Sequence, residues 1–156
     1  LDTHLISVDP KPRTYINDYV DELHLMPAEV AYETELFSSL ATGDILFIDS
    51  SHTVKPANDV LTLFLNVIPS LPSGTVIHIH DIFLPYDYPL SLQRRGWTEQ
   101  YIVQAMLEDN KTFDILWAGH FLQRTREDFS KHFPHLGKGS NGLASSLWLR
   151  KTSSSQ

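Results

Sequence analysis

Two short polar blocks, Asp49-Ser50-Ser51-His52 and His78-Ile79-His80-Asp81, each close a run of apolar residues, and Asp9 and His120 follow two further runs. Carboxylates and imidazoles brought together can bind and deprotonate a hydroxyl. His52 has an unperturbed pKa near working pH and is a candidate general base, with a loop-ordering role as the alternative. Asp49, His80 and Asp81 could together hold a divalent cation. Carboxylate oxygens suit Mg²⁺, Ca²⁺ or Mn²⁺, and an imidazole moves the preference toward Mn²⁺, Fe²⁺ or Zn²⁺. Such an ion would orient an acceptor hydroxyl and lower its pKa. The competing reading has Asp49 ordering its own loop and His80 hydrogen-bonded at a strand end. Asp9 stands where a Rossmann-type fold places an acid to accept from ribose hydroxyls, with an Asp-Pro turn as the alternative. His78 shares a strand face with His80 but sits deeper, as a core histidine does. His120 reads as structural, with metal ligation as its alternative.

These residues need a scaffold that gathers strand ends, and the alternation of elements predicts one. Apolar runs at 5–8, 45–48, 75–79, 113–118 and 146–150 read as strands, with a weaker one at 25–30. The run at 45–48 is apolar on both faces, as a central parallel strand is. Helical patterns are expected over 14–23, 35–40, 60–68, 98–109 and 126–133. Asn58 or Asp59 caps the third, Thr98 caps the fourth, and the fourth turns Tyr101, Ile102, Ala105 and Met106 inward. The stretch 82–89, rich in proline and aromatics, is a lid, a substrate wall or a packed loop. Residues 137–142 form a loop and 152–156 a disordered tail. Strands separated by helices imply right-handed crossovers and an α/β, Rossmann-like, mostly parallel sheet flanked by helices, with room for one antiparallel member near the end. In such sheets ligands bind beyond the carboxyl ends of the strands, where all the polar residues named above fall.

The 156 residues suit one domain, over 1–151. A formal charge of -7, with no basic patch larger than Arg94-Arg95 or Arg124/Arg126, excludes a general nucleic-acid or anionic-membrane binder. With no cysteine, disulfides, thiolate metal sites and cysteine nucleophiles are excluded too. No G-x-S-x-G elbow, Walker loop or H-E-x-x-H occurs, which disfavours the common hydrolase and NTPase templates. Apolar runs fall far short of the ~20 residues that span a bilayer, no secretory signal opens the chain, and a cytoplasmic location is expected. The chain opens on Leu1 with an apolar run at once, as one that begins inside a fold does.

The stretch Gly43-Asp44-Ile45-Leu46-Phe47-Ile48-Asp49-Ser50-Ser51-His52-Thr53, then Asp59, then Gly74-Thr75-Val76-Ile77-His78-Ile79-His80-Asp81-Ile82-Phe83, resembles the class I methyltransferase family described as methyltransferase domain 24. Residues 6–10, 83–89, Trp97 and Glu99-Gln100-Tyr101 are similar as well. The resemblance implies S-adenosylmethionine as cofactor, with Asp9 and Asp49 as its contacts. It implies a small-molecule methyl acceptor, such as a sugar or secondary metabolite, methylated on oxygen. His52, His80 and Asp81 are then the catalytic candidates. Related O-methyltransferases bind Mg²⁺ through acids at the matching strand ends; this maps onto Asp49, His80 and Asp81, with Mg²⁺ or Mn²⁺ as the candidate ion and His80 standing in an acid's place. The family's first strand and glycine-rich loop would precede Leu1, so the fold is expected to be an incomplete, N-terminally truncated class I domain. On that reading the fragment closes the gap, pairs with another copy or leaves a hydrophobic slot, and by itself binds S-adenosylmethionine weakly or not at all. Two other readings are a non-catalytic binding or assembly module, and a metal-dependent hydrolase or oxygenase built on Asp49, His80, Asp81 and His120.

Overall fold

In the computed structural model of this chain, residues 3–12, 16–136 and 142–152 are described. Two sheets form among them. The smaller pairs β1 (Ile6–Val8) with β2 (Glu22–His24) in parallel. The larger contains β3 (Ile45–Ile48), β4 (Val76–Ile79), β5 (Phe113–Ala118) and β6 (Leu147–Lys151) in the order β3-β4-β6-β5. β3 and β4 are parallel, and β6 runs antiparallel to both its neighbours. The expected α/β, Rossmann-like architecture with one antiparallel member is therefore present.

Alternation along the strands decides which face is covered. Leu46, Ile48, Ile77, Ile79, Leu147 and Leu149 are buried on one face of the larger sheet. They pack against the helical run from 59 to 70 and against Val103 of α5 (Glu99–Leu107). Each such side chain contributes about 1.5–3 kcal/mol by leaving water. The opposite face carries Phe47, His78, Trp148 and Trp117 abreast across the four strands. There Ile45 and Phe47 remain 57% and 55% exposed. β3 is thus an edge strand among the described residues, pairing only with β4, and not the central strand its composition suggests.

The run from 59 to 70 comprises α2 (Asp59–Thr62), a π turn (Leu63–Val67) and α3 (Ile68–Ser70). Of the two capping candidates it is Asn58 whose side chain accepts from the Leu61 amide. The Ile68 amide reaches Leu63 O, one residue further back than an α-helical bond, and Pro69 brings no amide of its own. At the far end Lys151, buried in the last strand, donates its ammonium to the carbonyls of Ile68 and Pro69.

Several expected elements differ. The helix over 14–23 is not formed in its described part, where residues 17–19 turn and β2 follows. There the amides of Asp21 and Glu22 donate to Leu5 O and the Asp21 carboxylate accepts from the Leu5 amide, so tertiary pairing overrides the helical spacing. The strand expected over 25–30 is instead α1 (Ala28–Glu33), which starts directly after Pro27, a residue that breaks strands but begins helices. The helical turn near 35–40 is a short 3-10 helix, Leu36–Ser39. A short helix α4 (Leu90–Gln93) leads into the segment before α5. The helix expected over 126–133 is formed in its second half as α7 (Phe129–His132), and an unexpected helix, α6 (Gly119–Thr125), precedes it. α6 has no polar cap to announce it, and Gly119 enters it in a space where a Cβ would meet Trp117 Nε1 at 2.9 Å. Of the expected loop at 137–142 only Gly142 is described, and of the tail at 152–156 only Thr152. No helix among the described residues is long and apolar enough to cross a membrane.

Candidate functional site

Parallel pairing in register makes β3 and β4 end together: Ile48 faces Ile79, and the His80 amide donates to Ile48 O at 2.9 Å. Asp49 and His80 therefore leave the sheet side by side, with His80 Nδ1 3.7 Å from Asp49 Oδ1 and 3.4 Å from Asp81 Oδ1. Asp81 turns sharply, at φ 59°. Its Oδ1 accepts from Ser145 Oγ at 2.8 Å, and the next amide, of Ile82, donates to Ser145 O. The segment entering β6 thus orients the acid that leaves β4.

The loop after β3 is held from two sides. Asp59, in the first turn of α2, accepts from the amide and the hydroxyl of Ser51, both at 2.6 Å. Asn58 donates to Thr53 O. On the other side the loop meets α5: His52 O accepts from the amides of Thr98 and Glu99, and the Val54 amide donates to Thr98 Oγ1. Held in this way, His52 takes the left-handed region at φ 56°, where a residue other than glycine bears strain of about 1–3 kcal/mol.

His52 is buried, with its side chain 9% exposed. Its Nδ1 lies 2.8 Å from Glu99 Oε2, and its ring packs on Trp97 with centroids 4.0 Å apart. Nε2 faces outward, 3.3 Å from Asp49 Oδ1 and 3.9 Å from Asp81 Oδ2. Burial alone would lower the pKa of this imidazole. The Glu99 hydrogen bond and charge, with Asp81 and Asp49 adding to them, outweigh burial and raise it. The four side chains form a graded arrangement, from fully buried Glu99 through His52 and partly exposed Asp81 to Asp49, which is about half exposed.

The strand-end convergence expected from sequence is realised for Asp49, His52, His80 and Asp81. Asp9 ends β1 in the two-stranded sheet; its amide donates to His24 O and its Oδ1 accepts from the Lys11 amide. His120 is buried edge-on between Phe83 and Tyr86, with centroids 5.2 and 5.5 Å away, and burial lowers its pKa. The metal expectation finds no support among the described residues. Asp49, His80 and Asp81 are neighbours, but the two acids turn toward imidazole nitrogens, and Asp81 Oδ1 is already engaged by Ser145. Among the described residues no three His, Asp or Glu side chains converge as a ligand set, with or without His120. The residues do not fit a metal ion.

The aromatic stretch after Asp81 is a packed wall. The Phe83 amide donates to Gln100 Oε1, the Gln100 amide donates to Tyr88 Oη, and Tyr101 Oη donates to Asp87. Ser50, Trp97 and Glu99 enter the sequence reading only within the motifs and the resemblance, with no role given to them, and Ser145 does not enter it. α5 buries Glu99, Gln100 and Val103, whereas Tyr101 and Ala105, expected inward, are exposed. An apolar-periodicity search discards a carboxylate and an amide as surface residues, and here both are buried because they bind the two loops of the site. The one signal available was the break in the expected stripe: a face through 101, 102, 105 and 106 leaves Val103 outside.

A family model described as a methyltransferase domain matches residues 1–82, the stretch that runs from β1 through Asp9, Asp49, His52, His80 and Asp81. Neither a curated protein nor a solved structure matches the chain.

Proposed function

The chain belongs to the methyltransferase-domain family, and on that premise we propose that it serves the transfer of a methyl group from S-adenosylmethionine to a hydroxyl of a small molecule, a sugar or secondary metabolite, with His52 as the general base. The observation that carries this reading is the buried imidazole whose Nδ1 is held by Glu99 while Nε2 faces Asp49 and Asp81 at the joint end of β3 and β4.

The bound cofactor would supply an electrophilic methyl group on a sulfonium sulfur. The protein's part is alignment of the acceptor oxygen and removal of its proton. His52 Nε2 would take the proton of the acceptor hydroxyl as its oxygen receives the methyl group. Asp49, Asp81 and Glu99 around the ring favour the imidazolium so formed, the same electrostatics that raise its resting pKa. His80, beside both acids, has the chemistry to donate to or accept from the acceptor. Asp9, half-buried at the carboxyl end of a parallel strand, has the chemistry to accept from ribose hydroxyls. Asp49 is the second acid available to the cofactor or the acceptor.

The test is methyl transfer from labelled S-adenosylmethionine to a panel of hydroxylated small molecules, using the full-length protein. His52→Ala should lower turnover by about 10²–10⁴-fold, the usual contribution of a positioned base. Unchanged turnover would remove His52 from the role.

A further inference from the structure

Glu99 is the most deeply buried charged side chain at this site, with no exposed surface, and each of its oxygens has one partner. Oε1 accepts from Ser50 Oγ at 2.7 Å and Oε2 meets His52 Nδ1 at 2.8 Å. Ser50 Oγ also accepts from the His52 amide at 3.0 Å, which leaves the serine hydrogen to point at Glu99. A carboxylate has no hydrogen to give, so the hydrogen in the Glu99–His52 bond belongs to Nδ1. The α5 backbone holds the same residue, since the Thr98 and Glu99 amides both donate to His52 O. Trp97, two residues before Glu99, covers the ring face. One short segment, 97–99, therefore fixes the backbone, ring plane and ring hydrogen of His52.

We propose that Glu99 is a positioning residue for His52, holding the hydrogen on Nδ1 so that the lone pair of Nε2 is the one presented between Asp49 and Asp81. This deepens the reading of His52 as a base and rests on it. Free histidine favours the other tautomer, with hydrogen on Nε2, which would present an N–H where an acceptor hydroxyl must lose its proton. A neutral His52 without Glu99 would default to that non-productive form. Burying a carboxylate is costly unless it is fully hydrogen-bonded, and Ser50 and His52 meet that need on both oxygens.

Glu99→Gln tests this with almost no change of shape. Ser50 still needs an acceptor, so the amide oxygen stays with Ser50 and the amide N–H₂ faces Nδ1, where it donates and drives the ring hydrogen to Nε2. Nitrogen-15 NMR of the imidazole in the full chain, above the His52 pKa, should show hydrogen on Nδ1 in the wild type and on Nε2 in Glu99→Gln. In the methyl-transfer assay kcat should fall by about 10²–10⁴-fold, as expected when an orienting carboxylate is replaced by its amide. KM for the acceptor should change less than about 3-fold. Glu99→Asp keeps the acceptor and should restore the Nδ1 hydrogen with part of kcat. The wild-type spectrum stands even if a variant does not fold: hydrogen on Nε2 there would overturn the proposal, as would a Glu99→Gln protein with unaltered tautomer or kcat. A His52→Ala protein with normal turnover would instead sink the base reading, and the NMR result would still decide whether Glu99 orients the ring.

Discussion

His78 stacks on Trp148 with ring centroids 4.1 Å apart and planes 10° from parallel, across the antiparallel pairing of β4 with β6. Phe47 approaches the same imidazole from β3 at 4.8 Å. Its Nε2 is buried without a hydrogen-bond partner among the described residues. Burial lowers the His78 pKa, the neighbouring His80 lowers it further, and Asp49 opposes them. The first sheet position inside the site is thus an aromatic ring whose burial favours its neutral form.

A lowered pKa in the folded state means that the unfolded chain binds the proton more readily. The stabilisation from neutral His78 is full above the unfolded value of about 6.5 and is lost as pH falls from there through the folded pKa. Urea unfolding at pH about 7.5 and about 5 should show a loss of stability that shrinks in His78→Phe, which keeps the stack and removes the titration. His52, with its raised pKa, works in the opposite direction, so the comparison of variant with wild type is the informative quantity. An equal acid loss in both proteins would show that His78 is not the group responsible.

Lys151 makes a second prediction. Its ammonium is buried and donates to two carbonyls at the helix end, Ile68 O, which also accepts from the Leu71 amide, and Pro69 O. Burial lowers its pKa, yet the two acceptors and the helix end favour the charged form. Lys151→Met retains most of the packing and removes both bonds. Its cost should be about 1–3 kcal/mol in denaturant unfolding, and a variant as stable as wild type would mean the carbonyls find water instead.

The loop that carries Asp49 and His52 depends on the start of α2. Asn58 accepts from the Leu61 amide and donates to Thr53 O at 2.6 Å, so it both caps the helix and ties the loop to it. Asn58→Ala should cost about 1 kcal/mol as a lost cap. Asn58→Asp keeps the cap and loses the tie. If Asn58→Asp lowers methyl transfer while leaving unfolding near wild type, the Thr53 link serves the site; equal activity in the two proteins would deny it that role.

What sequence made legible followed from strong periodicity. The runs ending at Val8, Ile48, Ile79 and Ala118 were recognisable as strands because apolar β-branched residues stop abruptly at turn residues. Parallel pairing of β3 with β4 then brought Asp49, His52, His80 and Asp81 together as expected. The helix at 14–23 misled because its spacing of apolar residues competes with pairing to a strand many residues away, which no local window contains. β3 read as central because both its faces are apolar, and composition does not say which neighbours a strand will have. The role of Glu99 was invisible for a different reason: a buried carboxylate looks like a surface residue until its partners, Ser50 and His52, are placed around it.

Asp81 supports a last prediction, which separates backbone strain from side-chain bonding at the site. Its φ of 59° lies in the left-handed region, and its carboxylate accepts from Ser145 Oγ at 2.8 Å. Asp81→Ala and Asp81→Gly both lose that bond, but alanine keeps a Cβ that crowds the following carbonyl in this conformation and glycine does not. Glycine also loses more backbone entropy on folding, by roughly 0.5–1 kcal/mol, which works against it. With left-handed strain near 1–2 kcal/mol for a residue with a Cβ, Asp81→Gly should come out more stable than Asp81→Ala by up to about 1.5 kcal/mol in urea unfolding. Both should transfer methyl groups poorly, because the acid facing His52 Nε2 is gone from each. If alanine proves the more stable of the two, position 81 is not held in the left-handed region in solution, and the arrangement that presents Asp81 to His52 must relax when the Ser145 bond is removed.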